Sequence, residues 1–248
     1  MNHLLQFSHV PNSPGYMPIV ILNIESHFKD NLQNKKVLDI PAGNGWIGEQ
    51  LTQHGMDVTS ADINEDKTHF VQVDMEKPLP FSDEEFDAVI CCEGIEHIFS
   101  PFHLFSELTR TLKKGGILII TTPNIQNLYS RWKFLCTGYL YQFGPFHQTP
   151  LKNDILGDKG HISHVSYGQL RYYSHYHEMQ VEHPTGDRLK RKILLPFLFP
   201  ILIIGFWWNY KDWKRKSGLK SQKEIIKHLF NLRILLSRSL IFIATKPR

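Results

Sequence analysis

The sequence predicts an α/β fold in which a doubly wound, mostly parallel sheet is covered by helices on both faces. Strand-like and helix-like stretches alternate along the first half of the chain, through residue 122. The run FDAVICCE at 86–93 is almost entirely apolar, which is typical of a central parallel strand buried on both faces. A length of 248 residues allows one such domain with an ample core but not two, so we expect a single domain over 1–248.

Local patterns justify the individual elements. The helix predicted at 100–116 starts with Ser-Pro and ends with Lys-Lys-Gly-Gly, and the helix predicted at 45–55 starts at glycines and stops at Gly55. Further helices are predicted at 17–35, 125–143 and 166–177, with a polar loop at 144–160. Strands are predicted at 35–40, 56–62, 69–74, 86–93, 116–124, 179–183 and 239–246.

The composition is that of a globular chain with a mild positive charge. Apolar residues make up 42% of the chain and the net charge is +4, without a basic, aromatic-rich stripe over the predicted cleft, so we expect no nucleic-acid partner. We expect the three cysteines, Cys91, Cys92 and Cys136, to be reduced thiols of a cytosolic protein, with Cys91 and Cys92 on opposite strand faces. The first residues lack a basic segment followed by a long apolar core, so no cleaved signal peptide is expected.

The loop GNGWIG at 43–48 has the G-x-G-x-x-G spacing of a backbone that closely approaches a ligand at a helix N-terminus. This spacing alone is compatible with a dinucleotide pyrophosphate. However, Asp39 lies just before the loop at the end of the first strand, where its carboxylate would repel a pyrophosphate. The same carboxylate suits a ligand that carries an ammonium group and a sulfonium centre.

Two more acids end the next two strands. Asp62 follows the second strand and can accept hydrogen bonds from ribose hydroxyls. Asp74 follows the third strand and can accept a bond from an adenine amino group, with Met75 against the ring. Dinucleotide sites do not require this third acid, so the series favours an adenosyl ligand of positive charge.

Four motifs, VLDIPAGNGWIG, SADIN, VDMEKPLPFSDEEFDAVICCEGIEHI and LTRTLKKGGILIITTPN, resemble those of the class I S-adenosylmethionine-dependent methyltransferases in order and spacing. The resemblance implies a Rossmann-like seven-stranded sheet of order 3-2-1-4-5-7-6 with the last strand antiparallel. Pro41 stands where the family usually has the first glycine of the loop, and a proline lacks an N–H to donate to the ligand. The resemblance assigns S-adenosylmethionine binding to Asp39, Pro41, Gly43, Asn44, Gly45, Asp62, Asp74, Met75 and Glu93.

The segment EGIEH brings Glu93, Glu96 and His97 to the end of the fourth strand, the edge where α/β sheets bind ligands. Ubiquinone-pathway O-methyltransferases and small-RNA 2′-O-methyltransferases are similar here. That resemblance implies a divalent metal held by Glu93, Glu96, His97 and the later His161. The alternative is a site without metal, in which the glutamate orients the cofactor and the histidine packs beneath the substrate. Glu93, His97 and His161 are the candidate catalytic residues, with a histidine as base or the metal lowering the acceptor's pKa.

An apolar run at 193–208, ILLPFLFPILIIGFWW, lies between the basic segments LKRK and KDWKRK, within an insertion at 189–235 that precedes the last strand. It is short for a membrane span, and its prolines and glycine weaken a straight helix. A crossing would also separate two strands of one sheet. We therefore expect peripheral or re-entrant membrane contact, with a basic amphipathic stretch at 222–239 on the same surface. The alternatives are a buried hairpin over the substrate site and a dimer interface.

Together these features favour a methyltransferase at the inner face of a membrane that methylates, at oxygen, a lipid-linked or amphiphilic acceptor, either a small molecule or a glycan. A soluble small-metabolite methyltransferase, with the apolar run as a substrate lid, is the second hypothesis. A nucleic-acid methyltransferase is the third. The fourth is a cofactor-binding protein without catalysis, which only Pro41 favours.

Overall fold

The computed structural model describes residues 15–29, 31–64, 69–144, 160–216 and 220–248. The strands in this part of the chain are β1 (Lys36–Asp39), β2 (Asp57–Asp62), β3 (Val71–Gln72), β4 (Phe86–Cys92), β5 (Leu112–Pro123), β6 (Gln180–Val181), β7 (Thr185–Gly186) and β8 (Ser239–Thr245). The helices are α1 (Met17–Phe28), α2 (Trp46–Gln53), α3 (Pro101–Thr111), α4 (Leu128–Thr137), α5 (Tyr167–Tyr176), α6 (Leu194–Lys216), α7 (Lys220–Leu229) and α8 (Leu232–Leu236). A short 3-10 helix covers Ile95–His97.

The strands form one sheet of order β3-β2-β1-β4-β5-β8-β6, with β7 also paired to β8. The pairs β1–β2, β1–β4, β2–β3 and β4–β5 are parallel, whereas β8 runs antiparallel to β5 and β6. The predicted doubly wound order with an antiparallel last strand is confirmed. The two-residue strand β7 is an addition that the sequence pattern does not reveal.

Helices cover both faces of the sheet, and each face has its own buried core. One core includes side chains of α3 and α5, and the other includes side chains of α1 and α2. Cys91 lies in the first core and Cys92 in the second, which confirms that these neighbours point to opposite faces. Both thiols are free, as is the exposed thiol of Cys136.

The boundary between α3 and β5 differs from the prediction, because the helix ends at Thr111 and the strand begins at Leu112. Leu112 pairs with Phe86 on β4, but the next pair joins Ile117 to Ala88, so the intervening residues form a bulge. The predicted helix stop at Lys-Lys-Gly-Gly is therefore wrong. The glycines instead permit the bulge, since Gly115 has a φ of +78°.

Several other predicted elements are shorter in the structure. The first helix ends at Phe28 rather than at residue 35, and the helix predicted at 125–143 covers only Leu128–Thr137. The third strand pairs over Val71–Gln72 alone. Most of the loop predicted at 144–160 lies outside the described residues.

The apolar run folds as one helix, α6, which continues through Pro200 and is followed by α7 and α8 before β8. Its inner stripe, Leu195, Leu198 and Leu202, packs against a small core that contains Leu128, Leu235 and Leu236. Its outer side chains are exposed, so the alternative of a buried hairpin is wrong for this chain by itself. The residues Phe197, Ile201, Ile204 and Trp208 on that outer side are 59–74% exposed. By length and composition alone, Leu194–Arg215 would suffice to cross a membrane.

The buried side chain of Asn124, which directly follows β5, binds the end of the insertion. Its amide nitrogen donates to the backbone oxygens of Ile234, at 2.7 Å, and Ser237, at 3.2 Å. It also contacts the Ser237 hydroxyl at 3.0 Å. These bonds attach the end of the insertion to the carboxyl edge of β5, beside the candidate site.

Candidate active site

Parallel strands bring the acids that end β1 and β2 to one edge of the sheet. Asp39, the last residue of β1, is only 1% exposed. Among the described residues, neither of its carboxylate oxygens has a well-formed hydrogen bond, although the backbone N–H of Gly48 points towards the group. Asp39 is thus a buried carboxylate without a matching donor, which is rare in proteins.

The surroundings of Asp39 make it a weak acid. Burial raises the pKa of Asp39 from 3.8 to about 7, and the nearby Asp62 carboxylate adds to this rise, while the Gly48 N–H opposes it. Burial of a charge without a partner is costly. A cationic group of a ligand would supply the missing partner.

The glycine loop adopts backbone conformations that favour glycine. Gly43 has a φ of +55°, and Gly45, the N-cap of α2, has a φ of +80°. The Gly43 N–H donates to Oδ2 of Asp62 at 2.8 Å, and the amide of Asn64 donates to Oδ1 at 2.9 Å. Asn44 accepts a bond from the Trp46 N–H at 3.1 Å. Asp62 therefore ties the loop to the end of β2.

Asp74 and Met75 follow β3 after a short gap. Asp74 accepts a bond from the Glu76 N–H at 3.0 Å and forms an ion pair with Lys77 at 3.3 Å. Met75 is half-buried and packs against the core on one face of the sheet. Their assignment to the adenine ring stays a prediction.

Glu93 follows β4 in a left-handed conformation, with a φ of +49°. Its N–H donates to the Thr121 carbonyl at 2.9 Å, and the Thr121 hydroxyl contacts its Oε1 at 3.2 Å. Burial raises the pKa of Glu93 to about 7, although Thr121, Arg238 and Ser239 oppose the rise. Strained backbone and a perturbed pKa are both typical of functional sites.

The structure brings together Glu96, His97 and His161, whose ligand-type atoms all lie within 4.8 Å of one another. The backbone oxygen of Glu96 accepts bonds from the N–H groups of Ile162 and Ser163, both at 2.9 Å, which holds the distant histidine segment here. The two imidazole rings are 4.7 Å apart. Glu93, the fourth residue predicted to bind the metal, lies outside this cluster.

Within the cluster, Glu96 is fully buried. Its Oε2 accepts a bond from Thr122 at 3.1 Å, whereas its Oε1 has no hydrogen-bond partner among the described residues. Burial and the nearby Glu93 raise the pKa of Glu96 well above its ordinary value. His161 contacts the Gln142 carbonyl through Nδ1 at 3.0 Å.

Sequence reasoning missed two neighbours of these acids. Tyr16 precedes α1, and burial raises the pKa of its hydroxyl well above the ordinary value, with Cys92, Glu93, Glu96 and Asp39 adding to the rise. Arg238 precedes β8 and acts electrostatically on Glu93. Neither residue belongs to a motif. Only the pairing of β8 with β5, which joins Ser239 to Pro123, signals that Arg238 reaches this edge.

Residues 38–120 match a family model described as a methyltransferase domain. The ubiquinone biosynthesis O-methyltransferase of Rickettsia bellii is 29% identical over 126 residues, which cover 45% of this chain and 51% of that protein. The demethylmenaquinone methyltransferase of Clavibacter sepedonicus is 33% identical over 107 residues, which cover 37% and 43%. The chain thus spans about half the length of the curated relatives it matches.

Solved structures share the fold over most of the chain. An S-adenosylmethionine-dependent methyltransferase from Archaeoglobus fulgidus gives a TM-score of 0.56 at 20% identity and covers 93% of this chain and 94% of its own. Another from Mesorhizobium loti gives a TM-score of 0.54 at 12% identity, with coverages of 94% and 98%. These similarities extend beyond the region that matches in sequence.

Proposed function

We propose that this chain, which belongs to the class I S-adenosylmethionine-dependent methyltransferases, methylates an oxygen atom of an amphiphilic or lipid-linked acceptor at the inner face of a membrane. The observation that carries the proposal is Asp39, a buried carboxylate at a strand end without a well-formed hydrogen bond among the described residues. The relatives named for ubiquinone biosynthesis and for demethylmenaquinone support a small-molecule acceptor.

The residues present fit an adenosyl donor of positive charge. Asp39 would hold the ammonium group, which would replace its missing partner and keep it ionised. Gly43, Asn44 and Gly45 would offer the open backbone beside the methionine part, and Asp62 would accept hydrogen bonds from the ribose hydroxyls.

Asp74 and Met75 would bind the adenine, and Glu93 would orient the donor. Pro41 offers no N–H, so the loop would bind through its glycines.

When bound, S-adenosylmethionine supplies an electrophilic methyl group on a sulfonium centre. The acceptor hydroxyl must lose its proton to attack that carbon, so the chain needs a base or a metal near it. His97 or His161 would take the proton of the acceptor hydroxyl, and Glu93, at the end of β4, would assist this proton transfer. Loss of the proton would make the acceptor oxygen a better nucleophile.

Alternatively, the cluster of Glu96, His97 and His161 would hold a divalent ion, and in that case neither histidine would serve as the base. Two imidazoles and a carboxylate form a suitable donor set, and Oε1 of Glu96 has no hydrogen-bond partner among the described residues. A bound ion would lower the pKa of the acceptor hydroxyl. Glu93 lies outside this cluster, so it would not hold the ion.

Helix α6 supports the membrane part of the proposal. Its outer side is apolar and exposed, and basic residues flank it at both ends. Strand β7 precedes the insertion and pairs with β8, which follows the insertion. Because these two strands belong to one sheet, both ends of α6 must lie on the same side of a membrane as the sheet. A helix so constrained would lie in the membrane interface rather than cross the bilayer.

Donor binding tests the proposed function. In calorimetric titration of the whole chain, we expect S-adenosylhomocysteine to bind with one-to-one stoichiometry and NAD not to bind. Binding of NAD without binding of S-adenosylhomocysteine would contradict the proposal. Transfer of labelled methyl groups from S-adenosylmethionine to a membrane lipid extract then tests the acceptor class.

His161→Ala tests the metal, with manganese as the probe and electron paramagnetic resonance of the free ion as the readout. Loss of one of three ligands is expected to weaken manganese binding by about 100-fold, on the order of 3 kcal/mol. The control His175→Ala removes an exposed histidine on α5 and is expected to leave manganese binding unchanged. Equal affinities in both variants would exclude His161 as a ligand.

A further inference from the structure

A basic pocket lies beside the candidate active site, at the junction of the sheet edge and the insertion. It is a shallow depression that is open to solvent, with an enclosed volume of about 10 Å³. Its walls include Asn127, Tyr129, Lys190, Arg191, Leu194 and Arg238. Three of these side chains are cationic and none is acidic, so the pocket favours an anion.

The three cations are available to a ligand. Lys190, Arg191 and Arg238 are all exposed, and none of them forms an ion pair with a carboxylate in the described part of the chain. The nearest acid in sequence, Asp187, accepts the backbone N–H groups of Arg238 and Ser239 through Oδ1, at 2.8 and 3.0 Å. That acid is buried and does not line the pocket.

The backbone and two aromatic rings hold Arg191 in place. Its φ of +55° is a left-handed conformation, which costs about 1 kcal/mol in a residue other than glycine. Its guanidinium lies 3.7 Å from the ring centroid of Tyr129 and 4.8 Å from that of Tyr141. Stacking occupies the face of a guanidinium and leaves its in-plane N–H groups for an anion. Strain of this kind persists where the surroundings enforce it, often at ligand sites.

The pocket lies between the acids and the apolar helix. Arg238 directly precedes Ser239, which pairs with the end of β5, and both side chains favour the ionised form of the Glu93 carboxylate. On the other side, Leu194 is both the first residue of α6 and part of the pocket wall. A ligand that extends from the reaction centre towards the exposed face of α6 would therefore pass the three cations.

We propose that Lys190, Arg191 and Arg238 bind a phosphate group of the methyl acceptor, which makes the acceptor an anionic amphiphile with its tail along α6. The identity of the ligand as acceptor rests on the proposed function, whereas phosphate recognition by the pocket does not. Free phosphate and a phosphate that carries an apolar tail share the same chemistry. Only the second would also contact α6.

Short-chain lipids that stay monomeric test the proposal in calorimetric titrations of the full chain. Dihexanoyl phosphatidate is expected to bind at least tenfold more tightly than dihexanoylglycerol, which lacks the phosphate, and than inorganic phosphate, which lacks the tails. The double variant Lys190→Gln/Arg191→Gln is expected to lose at least tenfold of the phosphatidate affinity. The matched control Lys211→Gln/Lys214→Gln removes the same charge at the other end of α6 and is expected to retain that affinity.

Three results would overturn the inference: equal losses in the two double variants, equal binding of the glyceride, or equal binding of inorganic phosphate. Equal losses in the two double variants would mean that basic charge attracts the lipid without a specific site. Equal binding of the glyceride would mean that the phosphate is not recognised, and equal binding of inorganic phosphate would mean that the tails are not recognised. Affinity for S-adenosylhomocysteine, measured in each variant, reports intact folding. Failure of the unsubstituted chain to bind S-adenosylhomocysteine would instead contradict the proposed function, while phosphatidate binding would still report on the pocket.

Discussion

Asp39→Asn is expected to make the protein more stable at pH 8 and to abolish binding of S-adenosylhomocysteine. The carboxylate is buried without a well-formed hydrogen bond among the described residues, so its charge destabilises the unliganded protein. A rise of the pKa from 3.8 to about 7 corresponds to as much as about 4 kcal/mol at pH 8. The amide removes this cost and also removes the negative charge that would hold the ammonium group.

The sign of the pH dependence follows from the raised pKa. Between pH 4 and pH 7 the folded protein keeps the Asp39 proton that the unfolded chain loses, so the free energy of unfolding falls as the pH rises through this window. Above pH 7 both states are ionised and the full cost remains. The stability gain from Asp39→Asn is therefore expected to be small at pH 4 and to reach its maximum near pH 8.

Urea unfolding at pH 4, 6 and 8, together with calorimetric titration of S-adenosylhomocysteine, measures both effects. The control is Asp57→Asn, which changes an exposed aspartate at the start of β2. It is expected to change neither the stability nor the affinity by more than about 0.5 kcal/mol. An Asp39→Asn protein that binds S-adenosylhomocysteine normally would remove Asp39 from the donor site.

Charging the outer side of α6 is expected to detach the protein from membranes without unfolding it. The triple variant Phe197→Glu/Ile201→Glu/Ile204→Glu changes side chains that are 74%, 59% and 63% exposed. In the unsubstituted protein, burial of each of these apolar side chains in the membrane interface would contribute about 1–2 kcal/mol to membrane binding. Binding to vesicles of phosphatidylglycerol and phosphatidylcholine is therefore expected to fall by at least about 100-fold, as measured by sedimentation.

The inner side of the same helix supplies the matched control. Leu198→Ala removes a side chain that packs against the small core under α6, so it is expected to cost about 1 kcal/mol of stability. Its vesicle binding is expected to remain unchanged, because the outer side is intact. If the triple variant binds vesicles as the unsubstituted protein does, the outer side of α6 does not contact the membrane, and its role as a lid or a dimer interface becomes the better hypothesis.

The doubly wound sheet and the edge at which Asp39 and Asp62 lie were predictable because both depend on local patterns, whereas the full strand order was implied by the resemblance to a known family. Apolar strands that alternate with helices lead to right-handed crossovers, which bring the ends of parallel strands to one edge. Asp39 and Asp62 lie at that edge because each is the last residue of its strand. The end of a strand and the presence of an acid at that end can both be predicted from a few neighbouring residues.

Contacts between distant segments were decided only by the tertiary structure. The bonds from Ile162 and Ser163 to the carbonyl of Glu96 bring His161 to His97, as the family resemblance implied, whereas Glu93 lies outside the cluster. The stacking of Arg191 on Tyr129 likewise depends on how the insertion packs against α4.

The sequence by itself determined the sheet, the acid series and the apolar nature of α6, because periodicity and residue type act over a few residues. Which side of α6 faces solvent, and which cations line the basic pocket, depended on packing against the small core of Leu128, Leu235 and Leu236. An apolar run with large side chains all round has no preferred face until a partner surface buries one stripe of it. For that reason only the folded chain identifies the surface that α6 leaves free.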